Sequence, residues 1–342
     1  MDLSFLGIYA DIGFDLGTTV TRVAVKGKGI VLSEPSVVAL DKETKKVIAV
    51  GDEANEMLGR TPDNIAAVCP LRDGVIADFA ATAAMIKAFL YRAADKKPMI
   101  KPRVAVGVPS GITDVERRAV IEAFAAAGAR SVMLIEEPVA AALGAGLPVE
   151  APQGSMIVNI GAGTLETAVI SLGGIVAARS VRCAGEAMNS AIVSYMRRQY
   201  SVTIGDKMAE ELKTELGSAS RQGNEGFYDV RGRETATGLP RNVRVNATEI
   251  RNAISDVVSG IVNAVLDTLE ETPPELAADV LSAGIVLSGG GAYLKGIDEV
   301  IENATGIKTR IADAAENCVV TGTEMALSMP TVLRRSEVAK RR

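Results

Sequence analysis

The strongest constraint on the fold is a pattern that occurs twice in the sequence. Around Asp15 the chain reads IGFDLGTT, and around Asn159 it reads MIVNIGAG, an offset of 144 residues. In each copy a strand-like apolar run enters a tight glycine turn, and a second strand-like run leaves it. Because the offset is close to half of the 342 residues, it predicts two related halves. Two similar domains leave a cleft between them, and ligands favour such clefts.

Strand-like and helical patterns alternate along the chain. Arg103–Val108 and Ser131–Ile135 are rich in β-branched residues, and the segment Thr113–Ala127 between them has apolar residues at helical spacing. This order predicts parallel βαβ units and an α/β fold. Residues 187–220 are predicted to be helical, and 221–247 to form a loop or a small sheet. A long amphipathic helix is predicted over Thr248–Leu269, with Thr248 as its cap.

Composition excludes several classes of function. The chain has no histidine, which excludes histidine-dependent triads and histidine-ligated metal sites. Its three cysteines, Cys69, Cys183 and Cys318, are scattered, so they predict neither a disulfide framework nor a CxxC metal site, and they favour a reducing cytoplasm. The net charge of −5 argues against a nucleic-acid partner. We expect no membrane-spanning segment and no secretory signal.

Both glycine turns have the chemistry of anion sites. A glycine turn lets backbone N–H groups point at a phosphate because no Cβ blocks the approach. The carboxylate of Asp15 precedes the first turn and could hold the water shell of Mg²⁺. Two turns that clamp phosphate from opposite sides indicate a nucleoside triphosphate. The alternative from the residues alone is a pair of ordinary hairpins with glycine at positive φ.

Two further segments are candidates for the same cleft. A strand-like run leads into Gly289, Gly290 and Gly291, where the backbone could approach a flat ring or a phosphate. Glu137, in Glu-Glu-Pro, follows a predicted strand and could orient an attacking water. The alternative for Glu137 is simple charge complementarity at the start of a helix.

Along the chain, the four segments are the first glycine turn, Glu-Glu-Pro, the second glycine turn and Gly-Gly-Gly. Their order resembles that of the ATPase superfamily of actin, Hsp70 and sugar kinases. Longer strings narrow the resemblance to the MreB family of bacterial actin homologues, from about Asp11 to Met325. These strings are KGKGIVLSEPSVVA at 26–39, LGRTP at 58–62, RDGVIADF at 72–79, GITDVERR at 111–118, LIEEPVAAA at 134–142 and TPPEL at 272–276.

The resemblance implies an actin-like two-domain α/β fold. Each half is a mixed sheet flanked by helices, as in ribonuclease H, and four subdomains surround a nucleotide cleft. The expected first domain is 1–145, with a smaller subdomain at about 31–70 and with 312–330 packing back on it. The expected second domain is 146–311, with a smaller subdomain at about 186–248, and 331–342 is expected to be a basic tail.

The resemblance also implies ATP and Mg²⁺ as ligands and assigns residues to them. Asp15 would act in catalysis and hold the metal through water, and Glu137 would position the hydrolytic water. Glu210 and Lys213 would touch the ribose and base. The residues expected to bind the nucleotide are Leu16, Gly17, Thr18, Thr19, Gly161, Ala162, Gly163, Thr164, Glu210, Lys213, Gly289, Gly290 and Gly291.

The second turn departs from the family pattern. Asn159 stands where the family usually has Asp, and the chain reads GAGTLE at 161–166 where the family usually has GGGTTE. An amide can bond a metal-bound water but supplies no charge, a loss of roughly 1 kcal/mol per contact. We therefore expect a weakened metal contact at Asn159, with nucleotide binding retained and hydrolysis slowed.

The resemblance implies self-assembly into protofilaments on the cytoplasmic face of the inner membrane, with the cell-wall elongation machinery as a partner in setting rod shape. Met99 and Ile100 lie between lysines and are candidate lipid contacts; the alternative is that they cover a core edge. Other functions left open are a non-hydrolysing paralogue that co-polymerises with another member, an Hsp70-like ATPase and a sugar kinase.

Overall fold

Strands and helices are interspersed through the part of the chain that the structure describes. A computed structural model describes residues 11–94, 101–220 and 225–336. The strands of this part are β1 Asp11–Leu16, β2 Val20–Val25, β3 Gly29–Pro35, β4 Val38–Asp41, β5 Val47–Val50, β6 Ile65–Val68, β7 Leu71–Arg72, β8 Val75–Ile76, β9 Arg103–Val108, β10 Ser131–Glu136, β11 Ser155–Ile160, β12 Leu165–Ser171, β13 Gly174–Val181, β14 Val202–Thr203, β15 Phe227–Glu234, β16 Pro240–Asn246, β17 Ile285–Ser288 and β18 Thr309–Ile311.

The helices cover the sheets and include two short 3-10 turns, Gly290–Tyr293 and Ala315–Asn317. The capping box predicted at Thr113 and Glu116 is present. The α-helices of the described part are α1 Asp52–Met57, α2 Phe79–Ala93, α3 Asp114–Ala127, α4 Glu137–Gly144, α5 Gly185–Tyr200, α6 Asp206–Leu216, α7 Ala247–Glu270, α8 Pro274–Ala283, α9 Ile297–Thr305, α10 Cys318–Ala326 and α11 Pro330–Ser336.

Two predicted helix boundaries were wrong. The predicted helix 187–220 is two helices, because Ser201 adopts a left-handed φ of 55° and ends α5 before the short strand β14. The long helix is capped by Asn246 rather than Thr248, since Asn246 and Glu249 form a reciprocal capping box. Asparagine is as good a helix cap as threonine or better, and Glu249, three residues after Asn246, completes the capping box. The helix therefore begins after Asn246.

The two halves repeat one topology. The first five-stranded sheet has the order β3-β2-β1-β9-β10, and the second has the order β13-β12-β11-β17-β18. In both sheets the first three strands pair antiparallel, and the last two join in parallel. The central strands β1 and β11 are the two copies of the sequence repeat. The structure thus has the α/β architecture of two related mixed sheets that the repeat predicts.

Helices α4 and α10 pack against each other where the two halves meet. A Cβ on Gly144 would lie 1.9 Å from the carbonyl oxygen of Cys318, and one on Gly322 would lie 1.7 Å from that of Ala140. Glycine at these two positions therefore lets the helix backbones touch. Because α10 also packs on β1 and α4 packs on β11, this contact connects the two sheets.

Smaller sheets extend each half. Strands β5-β4-β6 form one of them, and β14-β15-β16 form the other. Strands β15 and β16 lie in the segment 221–247 that was predicted as a loop or small sheet, whereas β14 lies in the segment 187–220 that was predicted to be helical. Helix α11 occupies the start of the segment expected to be a basic tail. Met99 and Ile100 lie outside the described residues. Within the described ranges, no helix combines the length and apolar character that crossing a membrane requires.

Candidate functional site

A cavity of about 420 Å³ lies between the two halves. Residues from both copies of the sequence repeat line it, and so do all the described residues that the sequence assigned to a nucleotide or metal. These are Asp15, Leu16, Gly17, Thr18, Thr19, Glu137, Asn159, Gly161, Ala162, Gly163, Thr164, Glu210, Lys213, Gly289, Gly290 and Gly291. Positions far apart in the sequence are therefore gathered at one cleft.

The first glycine turn connects β1 to β2 at the cleft. A Cβ on Gly17 would meet the carbonyl oxygen of Val20 at 2.4 Å, so this tight turn requires glycine. The turn is tied to the rest of the first half because Ser36 Oγ donates to the Gly17 carbonyl at 2.6 Å. Thr18 Oγ1 accepts from the Gly74 N–H at 3.0 Å. The backbone of the turn is thus held in place before any ligand arrives.

The second glycine turn, between β11 and β12, faces the first. The Gly161 N–H donates to the Thr164 carbonyl at 2.9 Å and closes the turn. A Cβ on Gly163 would lie 2.7 Å from Thr18 Oγ1. The missing Cβ atom of Gly163 therefore permits the close approach of the two turns, whose backbone N–H groups could hold one anion between them.

Burial raises the pKa of three carboxyl groups at or beside the cleft, those of Asp15, Glu137 and Glu166. Burial raises the pKa of Asp15 to about 6, although the Arg22 guanidinium 3.8 Å away opposes the shift. Burial raises the pKa of Glu137 well above its usual range, with the charges of Glu166 and Asp15 adding to the effect. A cation bound beside these carboxyl groups would favour their charged forms and so lower their pKa values.

Glu166 was not singled out by the sequence, yet it is fully buried in β12. It accepts hydrogen bonds from the Ser110 N–H at 3.0 Å and from Ser180 Oγ, so it connects the two halves. Burial raises its pKa to about 7, while these donors lower it. Its place opposite Asn159 in the β11–β12 ladder follows from the strand register, which the local sequence does not reveal.

Asn159 lies beneath the cleft with 3 % of its surface exposed. Its Oδ1 accepts from Ser288 Oγ at 3.2 Å, and its Nδ2 lies 3.5 Å from Glu137 Oε2. A Cβ on Gly289 would lie 2.8 Å from Asn159 Oδ1, so the third glycine segment packs directly on this amide. Ser288 is a second residue that the sequence interpretation did not single out.

The other end of the cleft carries a polar cluster from α5 and α6. Lys213 Nζ donates to Glu210 Oε2 at 2.7 Å and to the Gly185 carbonyl at 3.2 Å. Asn189 Nδ2 also donates to Glu210 Oε2 at 2.7 Å. Tyr293 lines the cavity as well, and its hydroxyl donates to Glu316. A polar rim around an open slot suits a ribose and a flat base.

The donor set at the phosphate end fits a hydrated magnesium ion. Asp15 is the carboxylate next to the first turn, and Asn159 adds a neutral amide whose oxygen already accepts from Ser288. Among the described residues no group of three or more acidic, cysteine or histidine side chains could enclose a metal. Magnesium suits such a sparse site, because it keeps several waters and is held by one or two carboxylates together with the ligand's phosphates.

Comparison with known proteins places the chain in a family. Residues 9–335 match the family model described as MreB/Mbl protein. The cell shape-determining protein MreB of Escherichia coli strain K12 is 49 % identical over 331 residues, which are 95 % of each chain.

Solved structures agree with this match. MreB5 of Spiroplasma citri bound to ADP has a TM-score of 0.89 and 38 % identity, covering 95 % of this chain and 98 % of that one. A double helical filament of MamK matches with a TM-score of 0.77 at 19 % identity, over 93 % and 99 % of the two chains, which bears on the fold alone.

These matches agree with the repeated topology and with the strings in the sequence, and they favour neither a chaperone nor a sugar kinase. The fold is the actin-like fold expected from the sequence. This chain therefore belongs to the MreB/Mbl family of actin-like, cell shape-determining proteins.

Proposed function

We propose that this protein binds ATP with Mg²⁺ in the cleft and assembles into filaments that determine cell shape. The observation that carries the proposal is the pair of facing glycine turns, with Gly163 approaching Thr18, in a cleft shared by both halves. The ADP-bound Spiroplasma citri relative supports a nucleotide as the ligand. The family assignment, together with an actin-like fold that is shared with the MamK filament, supports self-association.

Different residues of the cleft would bind different parts of the nucleotide. The backbone of Leu16–Thr19 and of Gly161–Thr164 would bind the phosphates, while Glu210 and Lys213 would contact the ribose and base. Gly289–Gly291 would line the adenine. Asp15 would hold Mg²⁺ through water, and Asn159 would offer a weaker second contact. When bound, the metal would neutralise charge on the phosphates.

Glu137 would orient the water that attacks the terminal phosphorus, with ADP and phosphate as products. Its Oε2 lies 3.5 Å from Asn159 Nδ2, which would help to orient the carboxyl group. A proton held on Glu137 in the nucleotide-free protein would have to leave before the carboxylate could accept one from water. Because Asn159 supplies no charge, we propose that hydrolysis is slower than it would be with Asp at this position.

Calorimetry and electron microscopy test these statements together. Titration with ATP and with ADP, each with and without magnesium, should show binding that magnesium strengthens. Negative-stain images with Mg-ATP should show filaments, and images without nucleotide should show few. Absence of nucleotide uptake at every magnesium concentration would overturn the proposal.

We further propose that the filaments lie on the cytoplasmic face of the membrane, with lipids and the cell-wall elongation machinery as partners. The family assignment and the apolar pair between lysines support this location. A variant with Met99→Ser and Ile100→Ser should lose co-sedimentation with anionic liposomes. The matched variant Val115→Ser with Ile121→Ser, at two exposed positions of α3, should still co-sediment with the liposomes.

A second candidate function is that of a non-hydrolysing partner that co-polymerises with a more active family member. The neutral amide of Asn159 at the metal position favours it. A coupled phosphate-release assay on assembled filaments separates the two. Measurable release supports the slow ATPase, whereas filaments without release support the structural partner.

A further inference from the structure

Arg22 is a cation at the phosphate end of the cleft that the assignments above leave without a role toward the nucleotide. It lies in β2 directly opposite Asp15 of β1. Opposite residues of an antiparallel pair project from the same face of the sheet, and both of these side chains line the cavity. The turn Leu16–Thr19 connects the two strands. Arg22 therefore lies beside the backbone N–H groups proposed to bind phosphate.

The packing of α10 explains why this part of the sheet faces the cleft. Two residues further from the turn, Gly13 and Ala24 form the next opposite pair on the same face. A Cβ on Gly13 would lie 2.6 Å from the backbone nitrogen of Glu324, so α10 covers the face closely at this pair. Asp15 and Arg22 lie beyond that contact, where the face opens to the cavity.

The Arg22 guanidinium is only loosely engaged in the nucleotide-free protein. Its Nη1 lies 3.8 Å from Asp15 Oδ2, and 18 % of the side chain is exposed. Within the described ranges, no hydrogen bond joins the guanidinium to another residue. The hydrogen bond from Tyr293 lowers the pKa of Glu316, and the charge of Arg22 adds to this shift. Arg22 thus balances two carboxylates and keeps its N–H donors for a ligand.

The other two cations that line the described part of the cavity are already engaged. Lys213 Nζ donates to Glu210 Oε2 at 2.7 Å, and Lys295 Nζ donates to the Glu215 carbonyl at 3.0 Å. Lys213 belongs to the polar rim proposed for the ribose and base, and Lys295 follows the glycine segment proposed for the adenine. Of the three cations, Arg22 is the one beside the first glycine turn.

The charges around the metal position favour a cation from the protein. Asn159 supplies no charge where the family usually has Asp, and the single negative charge of Asp15 is balanced by Arg22. The phosphates of ATP carry several negative charges that the site must compensate. A guanidinium group is suited to this task because its planar fork of donors binds phosphate oxygens in pairs.

We propose that Arg22 binds the phosphates next to the first glycine turn and supplies part of the positive charge that a magnesium ion otherwise brings. This inference rests on the nucleotide binding proposed above and adds a residue to that site. ATP then binds with measurable affinity when no metal is present. On binding, the guanidinium passes from Asp15 to the phosphates, which leaves Asp15 free to hold the water shell of the metal.

Calorimetry with ATP, in EDTA and in magnesium, tests the role of Arg22. Arg22→Gln should lower the ATP affinity in EDTA roughly tenfold or more, the effect of one charge-assisted contact. The loss should be by a smaller factor in magnesium, because the metal then compensates the same phosphate charge. Arg22→Lys keeps the charge and should lose less affinity in EDTA than Arg22→Gln.

Two comparisons separate phosphate binding from other effects. Arg118→Gln makes the same change in net charge at an exposed position of α3, and it should bind ATP like the wild type. Asp15→Asn removes the carboxylate that Arg22 balances. The loss in EDTA should persist when Asp15→Asn is compared with the double variant Asp15→Asn, Arg22→Gln, and urea unfolding of each nucleotide-free variant checks that it is folded.

Three results would overturn the inference. One is an equal loss of affinity for Arg22→Gln in EDTA and in magnesium, since the guanidinium and the metal would then act independently. Another is a loss that Asp15→Asn abolishes, since Arg22 would then only balance Asp15. The third is a wild type that binds ATP in magnesium but not in EDTA, which would leave the proposed function standing. If the wild type binds ATP under neither condition, the proposed function fails as well.

Discussion

Asn159 and Glu137 meet where the two halves of the molecule join, with Asn159 Nδ2 3.5 Å from Glu137 Oε2. Ser288 sets this arrangement, since its hydroxyl donates to Asn159 Oδ1 and leaves the amide nitrogen to face the carboxyl group. The amide thereby presents a donor to Glu137, where a second carboxylate would repel it. The same amide cannot supply charge to a metal.

Restoring a carboxylate at this position should raise the rate of hydrolysis. For Asn159→Asp we expect phosphate release from assembled protein to increase severalfold, the effect of about 1 kcal/mol in a charge-assisted contact. The coupled phosphate assay measures it at saturating ATP. Asn263→Asp, on the exposed side of α7, makes the same chemical change away from the cleft and should leave the rate unchanged. An unaltered rate for Asn159→Asp would contradict the expectation.

Removing the Glu137 carboxylate should separate binding from hydrolysis. Glu137→Gln keeps the size of the side chain but removes its capacity to take up a proton. We expect phosphate release to fall by roughly 10²-fold or more, with ATP affinity nearly unchanged. Calorimetry and the phosphate assay on the same preparation measure both quantities. Glu122→Gln on α3 is the matched control, and equal rates in the two variants would exclude Glu137 from the reaction.

The buried carboxyl groups should make the nucleotide-free protein less stable as the pH rises. Glu166 has a folded-state pKa of about 7 against a usual 4.5, so between these values the folded protein holds a proton that the unfolded chain has lost. Its contribution to stability is therefore complete below about pH 4.5 and is lost as the pH rises through 7. Asp15 and Glu137 act in the same direction.

Urea unfolding at pH 5.5 and pH 7.5 measures this dependence. Glu166→Gln should reduce the difference between the two unfolding free energies, because glutamine does not titrate. Glu234→Gln, at the end of the central strand β15 of the small sheet, changes the same group at a position that is not fully buried and should keep the wild-type difference. A difference that is as large in Glu166→Gln as in the wild type would show that other groups carry it.

A side chain at Gly163 should weaken nucleotide binding. A Cβ there would lie 2.7 Å from Thr18 Oγ1 and 3.0 Å from the Asp73 Cα, so Gly163→Ala must push the two turns apart. We expect the ATP affinity measured by calorimetry to fall at least roughly tenfold, the equivalent of about 1.4 kcal/mol. Gly205→Ala meets no atom within 4 Å and should bind like the wild type. Equal ATP affinity in the two variants would show that the facing turns do not form the phosphate site.

Local sequence determined the features that depend on near neighbours. The repeated strand and glycine turn predict two related halves, and β1 and β11 occupy the same place in the two sheets. The Thr113 cap is equally local, since its partner Glu116 is three residues away. Turn chemistry and helix capping involve groups within a few residues, so a single sequence is enough to read them.

Tertiary structure decided the features that depend on distant partners. Ser288 reaches Asn159 across 129 positions, and Glu166 takes a donor from Ser110 in the other half. Burial and pairing of this kind arise from packing between elements, and a local pattern holds no information about which distant groups will meet.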